Sequence, residues 1–148
     1  MQRKLIVFFV QALAMSVVLV ASAHGTGHSA QQLRTQLHVI GDDGLTVRFA
    51  DALRAAIAAS PKFAPAVSDS PYDIRLLLAG NLYWQDTPQG LNFNVVVVVT
   101  SNEGRYLGVS TGACWEAHMQ DCAQKVLSDV LSYVADAPNS SVNRTLTR

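Results

Sequence analysis

Apolar residues recur along this chain with two different periods, and the places where the period changes mark out its elements. From Leu45 the apolar positions are three and four apart: Leu45, Phe49, Leu53, Ala56 and Ile57 share one helical face, with Arg48, Asp51 and Arg54 largely on the other. Asp43 stands where an N-cap belongs, residues 50–59 are alanine-rich, and Ser60-Pro61 stops the helix because a residue before proline is pushed out of the helical region. Residues 73–84 change to alternation, with Ile74, Leu76, Leu78, Leu82 and Trp84 on one side and Arg75, Leu77, Ala79, Asn81 and Tyr83 on the other. After the turn QDTPQGL, residues 92–101 alternate again. Phe93, Val95, Val97 and Val99 point one way, and Asn94, Val96, Val98 and Thr100 the other. The unbroken run of valines predicts a central strand covered on much of both faces. Asn102-Glu103-Gly104 predicts a hairpin turn into a strand over residues 105–112, with Leu107 and Val109 inward and Tyr106 on the opposite side.

Helical spacing returns over residues 115–134, where Met119, Cys122, Ala123, Val126, Leu127, Val130, Leu131 and Val134 make one broad apolar face. A short first strand fits residues 33–40, with Leu37 and Val39 apolar. Residues 62–72 read as a proline-rich connection whose Phe63 and Val67 tuck against the core. The expected order is (β)αβββα. The expected fold class is α+β: an antiparallel three- to four-stranded sheet with two helices packed on one face.

The ends of the chain have a different character. Arg3 and Lys4 precede an almost wholly apolar run from Leu5 to Val20, which closes on Ala21-Ser22-Ala23, the small-x-small pattern of a signal-peptidase site. Residues 1–23 are therefore expected to be a secretory signal. The alternative is an uncleaved anchor, since the run is close to the roughly 20 apolar residues that a span needs. Residues 24–32 read as a flexible polar leader, 33–135 as a single α/β domain, and 136–148 as a disordered tail. The expected location is periplasmic or secreted, with no stable membrane insertion once the signal is removed.

Without those 23 residues the chain is 125 residues long, one domain by length, with nine Lys and Arg against eleven Asp and Glu, a formal charge of −2. No basic run is present, which argues against nucleic acid as a partner because a polyanion needs clustered Lys and Arg. The chain has two cysteines, Cys114 and Cys122. In an exported protein two cysteines pair more often than not. A redox pair favours Cys-x-x-Cys, which this is not, and zinc ligation with His118 lacks an evident fourth ligand.

Three stretches carry a family resemblance. One is the helix end Leu53-Arg54-Ala55-Ala56-Ile57-Ala58-Ala59-Ser60-Pro61-Lys62-Phe63. The second is the strand Ile74-Arg75-Leu76-Leu77-Leu78-Ala79-Gly80-Asn81-Leu82, and the third is the hairpin Gly104-Arg105-Tyr106-Leu107-Gly108 before a closing helix. In this order they resemble the small periplasmic α/β domain at the N-terminus of TolB, a domain type also found in CsgG and in lipoprotein activators of peptidoglycan synthases. The same plan is similar to that of small exported proteins of proteobacteria. The resemblance spans residues 33–135, with no β-propeller following and no lipobox cysteine. It implies a non-enzymatic module that docks on envelope proteins.

No catalytic constellation stands out. The chain has no G-x-S-x-G elbow, no G-x-x-x-x-G-K-[ST] loop and no G-x-G-x-x-G turn, so no enzyme and no cofactor are expected. His24 and His28 are weak candidates for a metal, since an N-terminal amine beside its own imidazole chelates Cu(II). His38 and His118 read as surface side chains. The sheet face away from the helices, bearing Leu77, Tyr83, Val96, Val98 and Tyr106, is the candidate interface for a protein partner in the cell envelope or for self-association. The competing expectation is a secreted inhibitor or immunity-type protein that presents Trp115, Glu116 and His118 on a disulfide-closed loop, residues 114–122. A small hydrolase or metal protein comes last.

Overall fold

The computed structural model describes residues 31–67 and 69–137, so the expected signal, most of the expected leader with His24 and His28, and the tail from residue 138 lie outside the described residues. The elements run β1 (Leu33–Val39), α1 (Gly44–Ala59), β2 (Phe63–Pro65), β3 (Ile74–Leu78), β4 (Tyr83–Thr87), β5 (Gly90–Ser101), β6 (Tyr106–Trp115), a single 3-10 turn (Glu116–His118) and α2 (Met119–Asp136). The class is α+β with two helices, as the periodicities imply. The sheet is not wholly antiparallel and has six strands rather than three or four.

The direction of β1 is the main correction. β1 lies parallel to β2 and to β3, while β3, β4 and β6 all run antiparallel to β5. A helix of 16 residues separates β1 from the later strands. That is a crossover, and a crossover returns the chain parallel to the strand it left. β2, inside the segment read as a connection, pairs Leu33 with Phe63, and the Leu33 N–H donates to the Lys62 carbonyl at 2.9 Å. Phe63 is buried as expected, but Val67 stands 72% exposed beyond the end of β2.

The alternating run 73–84 is two strands. β3 pairs the last residues of β5 and β4 pairs its first ones, so the two share one edge of the long central strand. Between them the chain leaves the ladder and bonds to the start of α1. The Leu82 N–H donates to the buried Thr46 hydroxyl (2.9 Å), and the Asn81 side-chain oxygen accepts from the Asp42 N–H (2.8 Å). Gly41 is required here, because a Cβ on it would lie 2.6 Å from the Gly80 carbonyl oxygen. Asp43 caps α1 as its sequence position implies, accepting from the Leu45 and Thr46 N–H groups and from the Thr46 hydroxyl; this last bond first, then the backbone ones, holds its carboxyl below the usual carboxylate range.

Both helices cover one face of the sheet. Leu45, Phe49, Leu53 and Ile57 of α1 and Val126, Leu127, Val130 and Val134 of α2 meet Leu33, Ile74, Leu76, Leu78, Phe93, Val95, Val97 and Val99 in one core. Phe49 packs edge-on against Phe93, with ring centroids 5.6 Å apart. Burying a side chain of this size is worth roughly 1.5–3 kcal/mol, so this cluster dominates the fold. Trp84, expected inward with Leu82, is half exposed because β4 extends past the helices.

β6 breaks the simple alternation. Its register against β5 shifts at Val99/Thr100, so that Gly108 opposes Val99 while Tyr106 opposes Thr100, and Leu107 is the extra residue of a bulge. The bulge reverses the parity of the residues beyond it. Gly108, Ser110 and Cys114 face the helices, and Val109, expected inward, is turned out with Tyr106. Gly108 leaves room for the Tyr133 ring of α2, whose carbons would lie 2.6 Å from a Cβ there.

Candidate functional site

Among the described residues, neither helix covers the outer face of the sheet. Register places its side chains in rows. Leu77, Val98 and Val109 lie abreast across β3, β5 and β6, with His38 of β1 at the end of the row. The next row is Gln36, Arg75, Thr100 and Tyr106. On the other side of the first, Val96 lies beside Thr111, and Tyr83 beside Asn94 and Ala113. Leu77 and Val98 are half-buried by their neighbours, while Tyr83 (65%), Val96 (50%) and Tyr106 (61%) are open. The five residues singled out from alternation therefore share one face. The geometry adds Val109, which the parity of residues 105–112 had hidden behind the Leu107 bulge.

Charges sit at one end of this face, where Arg34 is ion-paired and Arg75 is hydrogen-bonded to neutral groups. The Arg34 guanidinium donates to both carboxylate oxygens of Asp73 (2.8 and 3.3 Å), and the Arg34 N–H donates to the same carboxylate (2.8 Å). That contact, as hydrogen bond first and as charge second, raises Arg34 further above its already high range. Arg75 donates to Gln36 (2.8 Å) and to the Tyr72 hydroxyl (2.7 Å), with its guanidinium 4.9 Å from the Tyr72 ring centroid. The centre of the face, from Leu77 to Thr111, carries no charge.

Segment 114–122 is not a free loop. Cys114 ends the inward row of β6 and Cys122 lies in the second turn of α2, at disulfide distance with their Cα atoms 6.2 Å apart. Trp115 is the last residue of β6 and 39% exposed. Glu116 is ion-paired with Arg48 of α1, and His118 stands 3.5 Å from Asp121, exposed. Trp115, Glu116 and His118 border an open groove beside the β4–β5 turn, held flat against the body rather than projecting from it. His38 is exposed as well. Among the described residues, no cluster of three or more His, Cys, Asp or Glu side chains is placed to hold a metal ion. No helix among them is long and apolar enough to cross a membrane. The disulfide fits an oxidising compartment.

The chain matches no protein-family model and no curated protein. A further polar cluster lies at the β6–α2 junction.

At that junction Asp129 accepts from Ser110 (2.5 Å) and from Lys125 (2.7 Å). Burial works against its charge, but the hydrogen bonds from Lys125 and Ser110 and the charge of Lys125 outweigh it, and its carboxyl lies below the usual range. A carboxyl depressed in the folded state contributes stability that is present above the unfolded value of about 3.9 and is lost as pH falls through the folded one. Asp129→Asn is expected to shrink the loss of stability between neutral and acid pH. Urea unfolding of the two proteins at pH 7 and at pH 3 measures it, and an unchanged acid loss would refute the role of Asp129.

Proposed function

We propose that this chain is a non-catalytic binding or assembly-accessory module of the bacterial envelope, exported on residues 1–23 and docking a protein partner on the outer face of its sheet. The observation that carries the reading is the uncharged patch of Leu77, Val96, Val98 and Val109 between Tyr83 and Tyr106, left uncovered by both helices. Contiguous exposed apolar surface of this kind marks an interface, and aromatic side chains at its margins are what interfaces enrich. The TolB-like pattern of residues 33–135 points the same way by analogy of fold, which on its own does not carry function.

Site-specific photocrosslinking in cells expressing the full chain tests the proposal. A photoreactive residue at Val96 is expected to give an adduct of defined mass, and one at Arg54, exposed on α1, is expected not to. Adducts that are the same from both positions, or absent from Val96, would overturn it.

A further inference from the structure

Sheet edges need protection, because a row of unpaired N–H and C=O groups templates another strand; short length, charge and proline are the usual guards. Two edges of this sheet have them. β2 is three residues long, ends in Pro65 and comes directly after Pro61-Lys62. β4 is five residues long, carries Asp86 and runs into Pro88. β6 has no such guard. Its ten residues, YLGVSTGACW, contain neither charge nor proline, and among the described residues it pairs only with β5.

The ladder tells which groups are free. The Ser101 N–H donates to the Arg105 carbonyl, so the odd-numbered residues of β5 turn their main-chain groups towards β6. By register they meet Gly108, Ser110, Gly112 and Cys114. Val109, Thr111, Ala113 and Trp115 therefore turn theirs to the free edge. The Val109 carbonyl is already taken there by the Tyr133 hydroxyl at 2.8 Å, which closes one end and leaves the stretch from Thr111 to Trp115 open.

We propose that this stretch pairs antiparallel with the same stretch of a second copy, about a two-fold axis through Gly112. In that register Thr111 and Ala113 each exchange both main-chain hydrogen bonds with the other residue across the axis. On the outer side, Val109 lies opposite the second copy's Trp115, and the reverse. These are the two large apolar side chains that β6 leaves exposed in this stretch, at 36% and 39%, and an aromatic against a β-branched residue is a favourable cross-strand pair. On the inner side Gly112 meets Gly112, where a Cβ would touch nothing within 4 Å. The slot beside it, bounded by Val95, Ser110, Lys125 and Val126, offers only about 20 Å³ of room, enough for a water and not for a ligand. With no charge in β6, self-pairing sets no like charges opposite each other. The two-fold operation closes, so the product is a dimer and not a filament. The dimer uses main-chain groups at an edge and takes from the docking patch only Val109, at its margin; Leu77, Val96 and Val98 stay free in each copy, so it stands or falls apart from the docking proposal.

Sedimentation velocity on protein purified from cells expressing the full chain tests this. The wild type is expected at twice the monomer mass at micromolar concentration. Ala113→Pro removes an N–H that faces the free edge and not β5, and is expected to raise the dissociation constant at least about tenfold while the circular dichroism stays native. Val96→Lys is expected to remain dimeric. Gly112→Cys is expected to form an interchain disulfide under mild oxidation, located by peptide mapping at residue 112 of both copies, and this decides the matter if Ala113→Pro does not fold. A monomeric wild type, a folded Ala113→Pro that dimerises as well as wild type, or an oxidised Gly112→Cys with no 112–112 linkage would each overturn the proposal.

Discussion

Val97→Lys is expected to abolish the folded state, while Val96→Lys, its neighbour on the same strand, melts within a few degrees of wild type. Val97 is fully buried beneath the helices, opposite Ser110 of β6, whereas Val96 is half exposed on the other face, beside Thr111. A lysine at position 97 would bury an unpaired charge at a cost of several kcal/mol or more, on top of the lost apolar contact. A small domain has only about 5–15 kcal/mol of stability in all. At position 96 the ammonium stays in water, and surface substitutions of that kind are usually within about 0.5 kcal/mol of neutral. Thermal melts followed by circular dichroism separate the two. Equal unfolding by both would mean that the outer face is buried in the folded protein, and the docking proposal would fail with it.

The second large effect is at the disulfide. Replacing both Cys114 and Cys122 by Ser is expected to cost about 2.5 kcal/mol, the chain-entropy value for so short a loop. Cys114 is 2% exposed, so a serine hydroxyl there is placed in an apolar site and adds to the loss. The bond ties the end of β6 to α2, next to the open slot under Gly112, and α2 supplies nearly half of the helical cover of the core. Urea unfolding of the double variant against the wild type measures the difference. Equal midpoints and equal slopes would show that the link contributes nothing.

Much of the site was legible because alternation is a local property. Residues 92–101 place Val96 and Val98 opposite Val95 and Val97 whatever the rest of the chain does, since successive side chains on a strand point to opposite faces. The same logic set Leu77 and Tyr83 on the outer face. It failed at Val109, where Leu107 enters β6 as an extra residue and exchanges the two sides. No pattern in YLGVSTGACW announces that shift. Gly108 is placed on the inward side by the Tyr133 ring of α2, a contact 25 residues away along the chain. Glu116 also read differently in isolation, since its partner Arg48 lies 68 residues away.

The sequence by itself determined the two helices, their apolar faces, the Asp43 cap, the alternation of the central strand and the pairing of its only two cysteines. Each depends on residues within a few positions of one another, or on there being no other choice of partner. The tertiary structure decided that β1 runs parallel to β3, that the run 73–84 breaks into two strands sharing one edge of β5, and that β6 is left as the long unguarded edge. Those outcomes depend on contacts far apart along the chain. The Thr46 hydroxyl, for instance, draws the Leu82 N–H out of the ladder from 36 residues away. A strand's own residues specify which way its side chains point, but only the competition among distant backbone partners specifies its neighbours.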